Sequence, residues 1–469
     1  MKTFSLALRN LLRNRRRSLT TLLAMIVGVL TILLFGGYSR NITYGLQTGY
    51  VQGSGHLQIQ HKDYFLYGSG NPGAYGIADY PRVIDVVKHD PVLAPMLTVV
   101  TPTLQLGGIA GNFAAGVSRT VFANGIVVED RNRMREWNDY GFPGRRGPLA
   151  LTGTGQDAAV IGTGVARVLQ LCGPLKVQNC QQPQAQDAQG RPPGATKGGQ
   201  RLPSDVAALA AQENSRRSAA SDTRIELLAA TVHGAPNVAE LNVVKAENQG
   251  VKELDDVYVV LHLAQAQRLV YGGEKPGATA VVLQLQHTSQ IPAAKARLEQ
   301  LLASTLKGEP LEVLEFGTLN PFYGQTITMF AAIFGFIAVL IGTIVLFTLG
   351  NTMSMAVMER TVEIGTLRAM GLRRGGIRRL FVCEGLLLGV IGAVLGVLIA
   401  LLLAGIINHS GLTWTPPGRD AVPLTIYVWG ETRLVIASAV GLILVAILSA
   451  WWPARRAARM NIVDALRHV

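Results

Sequence analysis

Apolar and polar positions divide this chain into long uninterrupted apolar runs and one large stretch of mixed pattern. Four runs reach the roughly 20 apolar residues that a bilayer crossing needs: Leu19–Tyr38, Thr326–Met358, Gly385–Asn408 and Leu434–Ala454. Thr326–Met358 and Gly385–Asn408 contain no charged residue. The second run holds 33 residues, too many for one perpendicular crossing, so it is expected to tilt or to continue as a stalk beyond the membrane. Between the first two runs, 39–325 alternates and mixes. HLQIQ (56–60), MLTVVTPTLQL (96–106), RTVFANGIVV (119–128) and TAVVLQLQ (279–286) read as strands. Val160–Leu171, Asp256–Val270 and Ser289–Ser304 read as helices, the last with Ser289 as N-cap and Pro292 in its first turn. At the start, residues 3–14 put Phe4, Leu8, Leu11 and Leu12 on one helical face and Arg9 and Arg13 towards another. Two readings stay open for them: an amphipathic helix lying on the inner leaflet, or a simple extension of the first span. The predicted fold is an α-helical membrane protein with four transmembrane helices and a large α+β extracytoplasmic domain between helices 1 and 2.

Charge supplies the orientation. The 469 residues carry a formal net charge of +13, and only 16% are charged. Residues 1–17 hold Lys2, Arg9, Arg13, Arg15, Arg16 and Arg17 with no acid. The segment 357–379 holds Arg360, Arg368, Arg373, Arg374, Arg378 and Arg379 against Glu359 and Glu363. The tail 453–469 holds Arg455, Arg456, Arg459 and Arg467 against Asp464. Those three segments account for the whole excess of +13, and four spans place all three on one side, as the positive-inside rule requires of the cytoplasmic side. The expected division is a cytoplasmic helix at 1–17, spans at 18–38, 326–358, 380–408 and 433–454, an outer domain at 39–325 and an outer loop at 409–432. A cytoplasmic loop at 359–379 and a cytoplasmic tail at 455–469 complete it. Because the charge flanks spans and forms no separate basic domain, it argues against nucleic-acid binding. The first run is longer than a usual signal-peptide core and GGYSR is a poor cleavage site, so an uncleaved anchor is expected.

Residues 174–222 are rich in Pro, Gln and Gly at their start, and bury too little to order themselves well; a surface insertion is expected. Cys172 and Cys180 stand at its beginning, where an extracytoplasmic location permits a disulfide, two free thiols being the alternative. Cys383 reads as a small apolar residue of the third span. The chain has no GxxxxGK[ST] and no HExxH. GSG (53–55) and GTG (153–155 and 162–164) lack the GxSxG context and read as turns. The eight histidines are scattered without metal-ligand spacing. An enzyme, a metal site and a resident cofactor are therefore not expected. Glu384 lies near the inner end of its span and is expected to reach towards the interface. The spans lack the line of ionisable groups that a proton-driven carrier needs. Gly385/Gly389 and Gly392/Gly396 form two GxxxG pairs, consistent either with general glycine tolerance in membrane helices or with a dimer seam.

Three segments resemble the MacB/FtsX-type ABC permeases: ALRNLLRNRRRSLTT (7–21), ERTVEIGTLRAMGLRRGGIRRLFVCEG (359–385) and WPARRAARMNIVDALR (452–467). The order of one span, a large outer domain and three spans matches as well; the middle of the chain is only loosely similar. The resemblance implies a permease in the cell inner membrane, its large domain in the periplasm, paired with a second copy or a paralogue. A separate subunit would bind ATP and Mg and hydrolyse the nucleotide. It implies a coupling helix near Thr361–Gly371, carrying the contact through Glu359, Glu363, Ile364, Gly365, Arg368 and Gly371. Motion of the outer domain, rather than passage through the spans, would do the work. Lipoprotein release is the leading expectation, because no ATPase motif is present and the outer domain is larger than expected of a division-type regulator. Tripartite efflux or export with a periplasmic adaptor, and regulation of cell-wall hydrolases, are the alternatives.

Overall fold

The computed structural model describes residues 2–13, 15–68, 71–141, 147–178, 180, 223–250, 252–414 and 422–460. Most of the expected insertion (181–222), part of the outer loop (415–421) and the end of the tail (461–469) lie outside the described residues. In chain order, α1 (Lys2–Arg13) and α2 (Arg15–Ser54) come first. They are followed by β1 (Leu57–His61), α3 (Tyr80–His89), β2 (Leu97–Asn112), β3 (Val117–Ile126) and α4 (Val128–Arg135). Next are β4 (Ala158–Gly162), α5 (Thr163–Val168), β5 (Arg224–Ala230), β6 (Pro236–Glu247) and β7 (Tyr258–His262). Then come α6 (Leu263–Tyr271), β8 (Ala280–Leu285), α7 (Ile291–Ala303) and β9 (Leu311–Glu315). The chain returns to long helices with α8 (Pro321–Glu359), α9 (Thr361–Ala369), α10 (Arg374–His409) and α11 (Thr432–Arg459). Contacts group these into a helical unit, Met1–Leu46, Phe322–Trp414 and Pro423–Val469, and an α/β unit, Gln47–Pro321 and Thr415–Val422.

Among the described residues, α2, α8, α10 and α11 are long and apolar enough to cross a membrane. The 33-residue run of the second span was the expected site of a surplus, and α8 extends it to 39 residues. The first span carries one too: α2 is a single helix of 40 residues that continues well beyond Tyr38. At 1.5 Å per residue each helix runs about 60 Å, twice the hydrocarbon thickness of about 30 Å. The polar residues after Tyr38 had suggested that the outer domain begins at 39. The sheet in fact starts at Leu57, because helix propagation across Ser39–Ser54 stops only at Gly55. Gly55 has φ +70°, and a side chain there would lie 2.7 Å from the Leu283 carbonyl.

In the helical unit, α2 packs Met25, Val29 and Leu33 against Val345 and Leu349 of α8, Ala393 and Ala400 of α10, and Leu442 and Ala446 of α11. The helix α1 is seated on this bundle rather than free of it: Ala7 is fully buried, and Leu11 packs beside Met353, Leu388 and Ala450.

In the α/β unit, pairing closes a ring. Strand β2 pairs β3 and β5, β3 pairs β7, β7 pairs β4, β4 pairs β6, and β6 pairs β5. Alternation directs one face of each strand inward: Leu104, Leu106, Val121, Ile161, Leu227, Leu241 and Val259 share one core. The other end of the long strand β2 pairs β8, which pairs β1, which pairs β9. The strands expected at 56–60, 96–106, 119–128 and 279–286 lie on β1, β2, β3 and β8. Two expected helices are corrected. Val160–Leu171 and Asp256–Val270 each contain a strand (β4, β7) that turns into a shorter helix (α5, α6). Ile161 and Val259 fill the interior of the ring while Val160 and Val260 are buried in a second cluster with Leu149 and Leu151, and that burial overrides local helical spacing. At 162–164 the GTG is the β4–α5 turn. Its Thr163 and Gly164 amides donate to the Asp255 carboxylate at 2.9 and 2.7 Å. Cys172 and Cys180 form a disulfide with Cα atoms 5.8 Å apart.

Candidate functional site: the turn between the second and third spans

The helix α8 ends at Glu359, and Arg360 breaks it at φ −104° before α9 begins. The other end of α9 closes at Gly371, φ +93°, where the Gly371 and Leu372 amides donate to Arg368 O (3.0 Å) and Leu367 O (3.1 Å). Only a residue tolerant of the left-handed region closes a helix this way. The short helix is thus bounded by two backbone breaks and set against the bundle.

Its inner face is apolar. Ile364 is buried with Ala356, Val357, Ile377, Phe381, Ala454, Ala457 and Ala458, so it belongs to a core shared by α8, α10 and α11; Gly365 is buried beside it. The polar residues around this core each bind the chain itself. Glu363 accepts from Arg13 of α1 at 2.8 and 2.9 Å, and Glu359 accepts from Arg17 of α2 at 2.9 Å. Arg368 donates to the carbonyl of Met460, which caps α11. Arg360 turns inward, donating to Glu384 Oε1 at 3.1 Å and to Asn10 O at 3.3 Å. Asn10 Nδ2 donates to the same carboxylate oxygen at 2.7 Å. Glu384 is 2% exposed: it is a buried member of an ion pair, and the expectation that it reaches to the interface is overturned. Partnering in place removes the need to reach water.

This geometry revises which side of α9 is available. Ile364 and Gly365 face the bundle and are covered, Arg368 is engaged with α11, and Gly371 terminates the helix. Glu359 and Glu363 are exposed but already paired. Instead, Val362, Thr366, Ala369, Met370 and Leu372 are exposed on the outer side, followed by the exposed Arg373, Arg374, Arg378 and Arg379. Sequence reasoning missed Asn10, Arg13, Arg17 and Arg360 as supports. The available signal was Glu384 itself, since an acid at the end of an apolar helix requires a partner.

The two GxxxG pairs are absorbed inside the chain, on two different neighbours. A Cβ at Gly385 would lie 2.6 Å from Ala450 Cβ, and one at Gly389 3.0 Å from Ala446 Cβ, both on α11. One at Gly392 would lie 2.5 Å from Met25 Cβ, and one at Gly396 2.7 Å from Val29 Cβ, both on α2. One helix uses one stripe of small residues to approach two partners, which leaves no dimer seam at these positions. Among the described residues no cluster of three His, Cys, Asp or Glu side chains could hold a metal.

Four membrane-length apolar helices and a short helix locked between the second and third of them are the build of a multi-pass membrane protein. Residues 332–462, from within α8 past the end of α11, match the family described as FtsX-like permease C-terminal. The chain is similar to the ABC transporter permease YtrF of Bacillus subtilis (38% identical over 136 residues, 28% of this chain and 30% of that protein). It is also similar to the macrolide export ATP-binding/permease protein MacB of Escherichia coli (25% over 258 residues, 54% and 37%). A third relative is the lipoprotein-releasing system transmembrane protein LolC of Neisseria meningitidis (26% over 243 residues, 50% and 56%). The matched stretches span between 30% and 56% of these relatives' lengths. These likenesses are to ABC permeases of the FtsX/MacB type.

Proposed function

We propose that the chain is the permease subunit of an ABC transporter that releases lipoproteins from the cell inner membrane. A separate subunit, holding ATP and Mg, drives it through the outer side of α9. The observation that carries this reading is the asymmetry of α9. Its inner side shares a core with α8, α10 and α11, polar contacts of Glu359, Arg360, Glu363 and Arg368 tie the turn to α1, α2, α10 and α11, and its outer side is bare. A push on Val362, Thr366, Ala369, Met370 and Leu372 would reach every one of those helices. Displacement of the spans, and with them of a periplasmic α/β unit, is a better use of such a joint than conduction, because the apolar runs of the spans offer no charged path. The length of α2 and α8 beyond the hydrocarbon suits delivery of that motion above the bilayer. A second copy or a paralogue would pack in the membrane, where α8 is the least buried of the four spanning helices. The similarity to LolC supports lipoprotein as cargo. The similarity to MacB supports the second reading, export with a periplasmic adaptor.

The test is reconstitution with the ATPase subunit in proteoliposomes carrying a lipoprotein. Met370→Glu and Val362→Glu are expected to insert normally and to abolish the stimulation of hydrolysis by the permease. If both variants retain full coupling, the contact lies elsewhere. If the unaltered complex couples hydrolysis but leaves the lipoprotein in the membrane with its carrier protein present, the cargo is wrong and export becomes the reading.

A further inference from the structure

The junction of α1, α2, α8 and α10 leaves a partly open cavity of about 30 Å³, lined by Asn10, Arg17, Thr21, Thr352, Arg360 and Glu384 together with apolar side chains. Two guanidinium nitrogens of arginines that line it, Arg17 Nη2 and Arg360 Nε, are buried and find no partner among the described residues. The Arg360 side chain is only 9% exposed. A buried N–H of a charged group left without an acceptor costs more than that of a neutral one. The surrounding groups do not supply that acceptor directly. Glu384 Oε1 already takes Arg360 Nη1 and Asn10 Nδ2. The hydroxyls of Thr21 and Thr352 donate back to Arg17 O at 2.8 Å and to Thr348 O at 2.7 Å, so each oxygen keeps a lone pair.

From this complementarity we infer a built hydration site: about two ordered water molecules, held between the two arginines and the two threonines, that complete the joint beneath the α8–α9 turn. The volume fits, since one water needs about 10–15 Å³ of such space. The chemistry fits as well. A water accepts from Arg17 Nη2 or Arg360 Nε and donates to the threonine oxygens, satisfying both kinds of group at once. A halide or other small anion could accept from the arginines and would leave the lone pairs facing a negative charge. The local charges also disfavour an anion, because Arg17 is already paired with Glu359 and Arg360 with Glu384. The waters would serve as exchangeable contacts, letting α1 and α2 shift against α8 and α10 without stranding a buried charge. This site is read from the helical unit alone and does not depend on the cargo.

The test uses the full chain in nanodiscs. A map that resolves ordered water is expected to show density within hydrogen-bond distance of Arg17 Nη2 and Arg360 Nε. Thr21→Val and Thr352→Val conserve volume and remove a water acceptor each. Each is expected to lower the melting temperature by several degrees, and the pair by clearly less than the sum, since both disturb one hydrated cluster. The melting temperature should be the same in chloride and in gluconate at equal ionic strength. An empty cavity in such a map, or valine variants as stable as the parent, overturns the inference. So does a chloride-dependent rise in stability, which would make the occupant an anion.

Discussion

His56 is fully buried at the start of the α/β unit, stacked edge-on against Trp137 with ring centroids 4.9 Å apart. Its Nδ1 accepts from the Leu285 amide at 3.0 Å, and burial lowers its pKa to about 4, only partly opposed by Asp139. The folded protein therefore holds this imidazole neutral, whereas the unfolded chain protonates it near 6.5. The stabilisation is complete above pH 6.5 and is lost as pH falls towards 4, a swing on the order of 3 kcal/mol. Thermal melts of the full-length protein should show this acid-side loss, and His56→Gln should flatten the profile between pH 6.5 and 4. An equally steep profile in the variant would assign the loss to other groups. In the helical unit the sensitive pair is Arg360 and Glu384. Removing either partner alone leaves a buried uncompensated charge and is expected to cost about 3–5 kcal/mol. The apolar pair Arg360→Met with Glu384→Leu should cost less than either single change to alanine, by thermal unfolding in nanodiscs. The exposed Arg13–Glu363 bridge should contribute under about 1 kcal/mol, screened by salt.

At the scale of elements, α10 depends on backbone approach. Ala at Gly385, Gly392 or Gly396 should lower bundle stability, because each new methyl meets a Cβ closer than 3 Å. Gly405→Ala and Gly441→Ala face open space within 4 Å and are expected to be neutral or to stabilise by up to about 1 kcal/mol through helix propensity. Unfolding measured across the five variants should split them into those two groups; a uniform response would deny the packing role. The elements also show where reading the sequence succeeded and where it did not. Uninterrupted apolar runs identified the four spans, since a bilayer imposes a length requirement that no other environment imposes so strictly. The extension of α2 to Ser54 was not legible, because Ser39–Ser54 is polar enough to resemble loop and only continued hydrogen bonding makes it helix. The strands β4 and β7 were absorbed into helices for the opposite reason. Each is five residues long, and its identity comes from neighbours paired across the ring.

For the whole molecule, the arginine-rich segments predict an orientation that labelling can test. With the turn 359–379 in the cytoplasm, single cysteines introduced at Met370 or Leu372 should resist a membrane-impermeant label in intact cells and react after permeabilisation. Cysteines placed in the exposed β2–β3 hairpin at Phe113 should react from outside once the outer membrane is opened. Labelling of Met370→Cys in intact cells would invert the topology. Coupling belongs to this scale as well. Gly365→Leu should now act by disrupting the core around Ile364, lowering yield and stability. Met370→Glu should leave both intact and sever the link to hydrolysis.

The sequence by itself determined the quantities that add along a chain: apolar length, hence four membrane-length helices; charge, hence three basic segments; and motif likeness, hence the resemblance to permeases. It also supplied the residues of the turn, 359–371, and the two cysteines. Tertiary structure alone decided which face of that turn is free. The direction of a side chain on a nine-residue helix depends on what the adjacent helices present, and Ile364, Gly365 and Arg368 are claimed by α8, α10 and α11. The same holds for Glu384, whose partners Asn10 and Arg360 are 374 and 24 residues away. No local pattern encodes such pairings, because burial creates the demand for a partner and only the packed bundle determines which residue meets it.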